Sequence, residues 1–121
     1  MIETYKDLKV YQKAYEASIK VHRIANRFPS FERVELGGQI RRATKSIALN
    51  IAEGFGRQGS LEDFKSFLKI SLGSCQEVKV LLDYSKDLGY INKDEYDKLM
   101  KDYEEISKML VKMIKEWKKK I

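Results

Sequence analysis

The side chains best placed to do chemistry fall in residues 39–57, QIRRATKSIALNIAEGFGR. On a helix, Arg41, Arg42 and Lys45 lie within about 100° of one another and can meet a phosphate backbone together. Arginine's planar fork suits phosphate oxygens, so this set is equipped for polyanion binding rather than bond making. Arg57 adds a fourth cation, with Glu53 four residues earlier competing for it if the helix persists that far. Near the C-terminus Lys115, Lys118, Lys119 and Lys120 surround Trp117, offering flexible charge and one stacking surface. The plainer account of that end is a basic last turn complementing the helix dipole. Five such charges neutralising phosphates on a single strand would give a log–log salt slope of roughly −3.5.

Catalytic groups are sparse. His22 is the one histidine and Cys75 the one cysteine. Cys75 lies among Ser71, Ser74 and Val78 and reads as a small hydrophobe with no base beside it. A di-iron bundle needs Glu-x-x-His pairs, and the chain has none, so no metal, cofactor or small-molecule substrate is expected. Gly54, Gly56 and Gly59 precede a helix but lack the lysine and hydroxyl residue of a phosphate loop, so they read as a turn.

The elements that position these residues follow from composition and period. One proline and seven glycines in 121 residues favour long helices. Four amphipathic segments account for nearly all of them. The first, about residues 8–27, repeats Leu8, Tyr11, Ala14, Tyr15, Ser18, Val21 and Ala25, and stops at Phe28-Pro29; residues 30–33 are a connection. The second, about residues 34–55, carries Leu36, Ile40, Ala43, Ile47 and Ile51, with a frayed or bent opening expected at Gly37-Gly38. Ser60 with Asp63 opens the third, and Leu88-Gly89-Tyr90 closes it. Asn92 with Glu95 opens the fourth, whose buried face runs from Tyr96 to Trp117. Short connections force neighbours antiparallel, giving an all-α, up-down-up-down antiparallel four-helix bundle over residues 1–121 as a single domain.

The net charge of +6 is unevenly spread: +3 in residues 33–57, −4 in residues 58–106 and +5 in residues 107–121. That asymmetry points to a polyanion partner or to self-association between unlike surfaces. On the polar side of the second helix, with Ser46 and Asn50, stands Leu49, flanked by Ala48 and Ala52. This second apolar patch is either a scattered surface leucine or the seat of a neighbouring subunit, with Glu53 helping to set register. Asp94, Glu95, Asp97, Asp102, Glu104 and Glu105 offer an acidic complement. No apolar leader or membrane span is visible, so the chain is expected to be soluble and cytoplasmic.

Read in order, the sequence resembles the four-helix bundle proteins encoded in 23S rRNA intervening sequences. The resemblance rests on Leu8-Lys9-Val10-Tyr11-Gln12-Lys13-Ala14, Phe28-Pro29, Gln39-Ile40-Arg41-Arg42-Ala43, Asn50-Ile51-Ala52-Glu53-Gly54, Gly56-Arg57 and Leu88-Gly89-Tyr90. It implies a bundle that assembles as a ring, typically a homopentamer, with relatives among accessory proteins of diversity-generating retroelements that bind nucleic acid. Carried over by position, Arg41, Arg42 and Arg57 belong to the family's polar surface. Ala48 stands where the family usually has proline, which implies a straighter second helix, and Tyr11 stands where tryptophan is common. Together these readings describe a non-catalytic protein binding RNA, associated with rRNA or the ribosome, or DNA through the backbone, assembled as a homo-oligomer. The alternative is a structural or protein-docking module whose basic surface meets itself or a protein partner.

Overall fold

Residues 1–118 are described by the computed structural model, and among them there is no strand. A 3-10 turn, Tyr5–Asp7, precedes α1 (Lys9–Ala25), α2 (Ser30–Val34), α3 (Leu36–Gly56), α4 (Leu61–Asp87) and α5 (Lys93–Glu116). The helices α1, α3, α4 and α5 form the four corners of an up-down-up-down bundle. Each packs against the next in that order, and α5 closes back onto α1. No helix among the described residues is long and apolar enough to cross a membrane.

Local chemistry sets the helix ends. The Ser60 hydroxyl accepts from the Asp63 amide at 3.2 Å to start α4. Asn92 and Glu95 exchange side-chain and backbone hydrogen bonds in a full capping box at the start of α5. Between them α4 stops in a Schellman turn. Tyr90 N–H reaches back to the Ser85 carbonyl (2.8 Å) and Gly89 N–H to that of Lys86 (2.9 Å). Gly89 sits there at φ +80, a conformation that costs glycine little.

Two expectations about the start of α3 change. The segment after Pro29 is a one-turn helix, α2, because proline's fixed φ sets up the turn that follows. The bend falls at Glu35 (ψ −87) rather than at Gly37-Gly38. Both glycines are buried and helical, and they serve close approach. A Cβ on Gly37 would stand 3.1 Å from a guanidinium nitrogen of Arg41 and 3.3 Å from the Glu32 carbonyl oxygen. Past that point α3 runs unbroken through Ala48.

The core is filled by Ile40, Ile47 and Ile51 of α3, Phe64, Leu68 and Leu82 of α4, and Tyr103, Ile106 and Leu110 of α5. Its polar atoms are paired. Thr44 and Tyr103 bond hydroxyl to hydroxyl across the bundle, and Ser71 Oγ donates to the Ile47 carbonyl at 2.9 Å. The tightest of the glycine positions is Gly54, between α3 and α4, where a Cβ would lie 2.7 Å from the Phe67 Cβ and 3.2 Å from the Phe64 ring. Gly54→Ala is therefore expected to lower unfolding free energy by about 1–3 kcal/mol through overpacking. Gly73→Ala on α4, where a Cβ meets nothing within 4 Å, should raise it by up to ~1 kcal/mol. Denaturant midpoints of the two variants check the contrast, and equal shifts would refute the close-approach account.

Candidate nucleic-acid interface

One side of α3 faces α4. Ser46 and Ser74 hydroxyls bond at 2.9 Å, and Asn50 Nδ2 donates to the Ser46 carbonyl at 2.8 Å. Ser46 and Asn50 thus leave the outer polar side where the sequence placed them, because α4 covers that angle. What remains exposed on α3 is a stripe at helical spacing, Arg42, Lys45, Leu49 and Glu53, with Gln39 and Gly56 at its ends. Leu49 is 64% exposed, while Ala48 is buried at 8% and Ala52 is half-buried. Ala48 and Ala52 therefore lie on the α1 side of α3, at the floor of a groove rather than on the outer stripe.

The predicted cations separate by role. Arg41 is half-buried, and one guanidinium N–H donates to the Arg33 carbonyl at 2.7 Å, fastening α2 to α3. Arg42 and Lys45 are exposed. Arg57 lies past the last turn of α3, where it cannot form the helical pair with Glu53. Its guanidinium instead stands 5.2 Å over the Phe67 ring. Lys118 is exposed beyond α5, and Lys119 and Lys120 lie outside the described residues. Trp117 is half-buried and packs at right angles to Phe64 at 5.1 Å between centroids, so part of its ring belongs to the core.

The acidic run is not free to complement a second copy either. Lys13 and Lys20 of α1 and Arg27 just past its end, spaced by seven, pair with Glu105 (2.7 Å), Asp102 (3.2 Å) and Glu95 of the antiparallel α5. Asp97 pairs with Lys93 at 2.7 Å and Asp94 with Lys98 at 3.0 Å. Of the six acids only Glu104 stands outside these bridges. The Lys13 ammonium holds the Glu105 carboxyl below its ordinary range. Two features escaped the sequence reading. Lys79, Lys108, Lys112 and Lys115 line a trough of about 430 Å³ between α4 and α5, shared with Glu104 and Glu116. Between α1 and α3 runs a groove of about 420 Å³ lined by Tyr5, Tyr11, Tyr15, Ile19, His22, Lys45, Leu49 and the small residues between them. Tyr15, counted by its spacing with the buried stripe, is 52% exposed. Its hydroxyl was the missed signal, since tyrosine usually keeps its polar end at a boundary.

With this arrangement in view, the model of the family described as 23S rRNA-intervening sequence protein matches residues 6–112. The chain belongs to that family. It is also similar, at 28% identity and a TM-score of 0.77, to a crystal structure of a protein of unknown function from Bacteroides thetaiotaomicron VPI-5482, of the S23 ribosomal protein family. The match covers 88% of this chain and 99% of that one. No curated protein matches.

In this family member Lys45 and Arg41 stand near His22 at the groove. Partial burial lowers the His22 pKa first, the Lys45 and Arg41 charges push it down further, and a hydrogen bond to the Arg41 backbone opposes them. Cys75 is sealed in the core, and burial raises its thiol to about 11. The His22 shift has a defined sign in stability. The folded state holds the imidazole below its ordinary value of 6.5, so the unfolded chain binds the proton more readily. The stabilisation from neutral His22 is fully present above that value and is lost as pH falls through the lower folded one. The Tm of the native chain relative to a His22→Gln variant should therefore fall between about pH 7.5 and pH 5. A difference that stays flat across that range would contradict the placement of Lys45 and Arg41 near the ring.

Proposed function

We propose that this chain is a non-catalytic nucleic-acid-binding protein that holds RNA through its phosphate backbone and works as a homo-oligomeric ring. The observation that carries the reading is the division of charge. Five acids of α5, Asp94, Glu95, Asp97, Asp102 and Glu105, are paired by basic residues of α1, by Arg27 after it or by their own helix, whereas Arg42 and Lys45 are exposed and in no ion pair among the described residues. Exposed cations of this kind have an external polyanion as their natural partner. The lysines of the α4–α5 trough extend that attraction. The family's own description, by naming 23S rRNA, makes RNA the first polyanion to consider. Absence of catalysis is supported by Cys75, the one thiol nucleophile of the chain, being buried and strongly shifted toward its inert form.

Self-assembly is supported by apolar side chains left in solvent. Phe31 and Val34 of α2 are 72% and 76% exposed, and nearby Leu36, Val80 and Tyr84 share a depression between α3 and α4. A closed ring needs two unlike mating surfaces, and these residues serve as one of them, beside the seat at Ala48, Leu49, Ala52 and Glu53 that the sequence suggests. The number five follows the family resemblance.

Fluorescence anisotropy with a labelled rRNA fragment tests the binding. Affinity should fall steeply between about 50 and 200 mM salt, and Arg42→Gln with Lys45→Gln should flatten the log–log slope by roughly 0.7 per charge. Arg41→Gln should act on stability instead, since its guanidinium holds the Arg33 carbonyl. Light scattering should give a mass near five times the 14.2 kDa subunit. Affinity indifferent to salt would refute the backbone reading and leave a protein-docking module. A clean monomer would refute the ring.

A further inference from the structure

We propose that the α1–α3 groove is a seat for an unpaired base of single-stranded RNA, with the flanking phosphates on Lys45 and Arg42. This rests on the nucleic-acid reading above and adds which form of the polymer is bound. Other depressions of comparable size exist, and the composition of this one sets it apart. Its volume of about 420 Å³ falls within the ~300–1,000 Å³ usual for ligand sites. Three tyrosines line it, and no carboxylate does.

The aromatic wall is preassembled. Tyr5 meets Tyr11 edge-on at 4.8 Å, and Tyr11 and Tyr15 lie 6.0 Å apart with 28° between ring planes. Tyr15, at the end of that series, leaves half its surface to solvent, and Leu49 rises from α3 as the opposing wall. A flat, weakly polar group entering between them is stacked on one side and in apolar contact on the other. Bases have such faces whatever their sequence, so the contact is tolerant of sequence. Bases of an intact duplex are already stacked on one another and cannot enter; a splayed single strand can.

The charge argues for a nucleic acid over a second copy of this chain. Lys45 stands in the lining, Arg42 is nearly one turn away, and both are exposed. The depressed His22 pKa supports a positive field at this place. An apolar side chain from another subunit would gain nothing from that field. Three of the α5 acids that could answer it, Glu95, Asp102 and Glu105, are committed to bridges within their own chain. An anionic strand satisfies the stacking wall and the cations together.

Anisotropy titrations of the full chain with a labelled single-stranded RNA of about 12 nucleotides and a duplex of the same length test the proposal. Tyr15→Ala should weaken the single strand about 5- to 100-fold and leave the duplex unchanged, while Tyr15→Phe keeps native affinity. Leu49→Asp, at an exposed position that does not endanger folding, should also weaken the single strand. Lys45→Gln should reduce the single-strand salt slope by roughly 0.7. Equal affinity for both probes, untouched by Tyr15→Ala and Leu49→Asp, overturns the groove while leaving backbone binding intact. A Tyr15→Ala variant that loses oligomer mass but keeps single-strand affinity makes the groove a subunit seat and also overturns the inference. Failure of both probes to bind at any salt removes the nucleic-acid reading itself.

Discussion

The rotation of α3 about its own axis is the constraint on which the rest of this molecule depends, and the seam with α4 sets it. Gly54 lets the backbone of α3 come against Phe64 and Phe67 where a single added carbon would collide. Farther up the same seam Ser71 donates to the Ile47 carbonyl and Ser46 meets Ser74, so small polar groups replace bulk between the helices. Once those contacts are made, helical geometry leaves no freedom for the remaining positions. Ile47 and Ile51 go to the core, Ala48 and Ala52 to the α1 side, and Arg42, Lys45 and Leu49 to solvent. Every functional property of α3 follows from that angle.

The α1–α5 contact plays a different part. Its three bridges join partly exposed side chains, and pairs of that kind contribute only about 0–1 kcal/mol each. Their larger effect is on where the net charge of +6 is displayed. By answering Glu95, Asp102 and Glu105 locally, Lys13, Lys20 and Arg27 are committed to one seam. The excess then appears on the outer side of α3 and along the C-terminal half of α5. Long-range attraction responds to such displayed charge rather than to the total.

Much of this could be read from residues close together in the chain. The Ser60 cap, the Asn92–Glu95 box and the Gly89 turn are written in adjacent positions, and the apolar period located each long helix. Its family followed from motifs in order. What the sequence did not reveal depends on which neighbour covers which angle. A helical wheel places Ser46 and Asn50 with Arg42, yet α4 covers the first two and not the third. It cannot show that Arg41 reaches back to the Arg33 carbonyl, or that Trp117 packs part of its ring against Phe64. Nor does period distinguish the centre of a buried stripe from its flank, which is why Tyr15 was grouped with Ala14 and Val21. The exposed row of α3 was legible as charge; its depth and its tyrosine wall were not.

The groove itself argues that stability was not the only pressure on this surface. Small side chains at Ala48 and Ala52 keep the space between α1 and α3 concave, while the large Leu49 between them points outward. Burying a leucine side chain is worth roughly 1.5–3 kcal/mol, and this arrangement forgoes much of it. A chain shaped by folding alone would place bulk at the two inward positions and a polar residue at the outward one. The observed order does the reverse beside three tyrosines and an exposed lysine. An isolated exposed leucine is ordinary, but one that lines a carboxylate-free aromatic cleft is in keeping with the base seat proposed above.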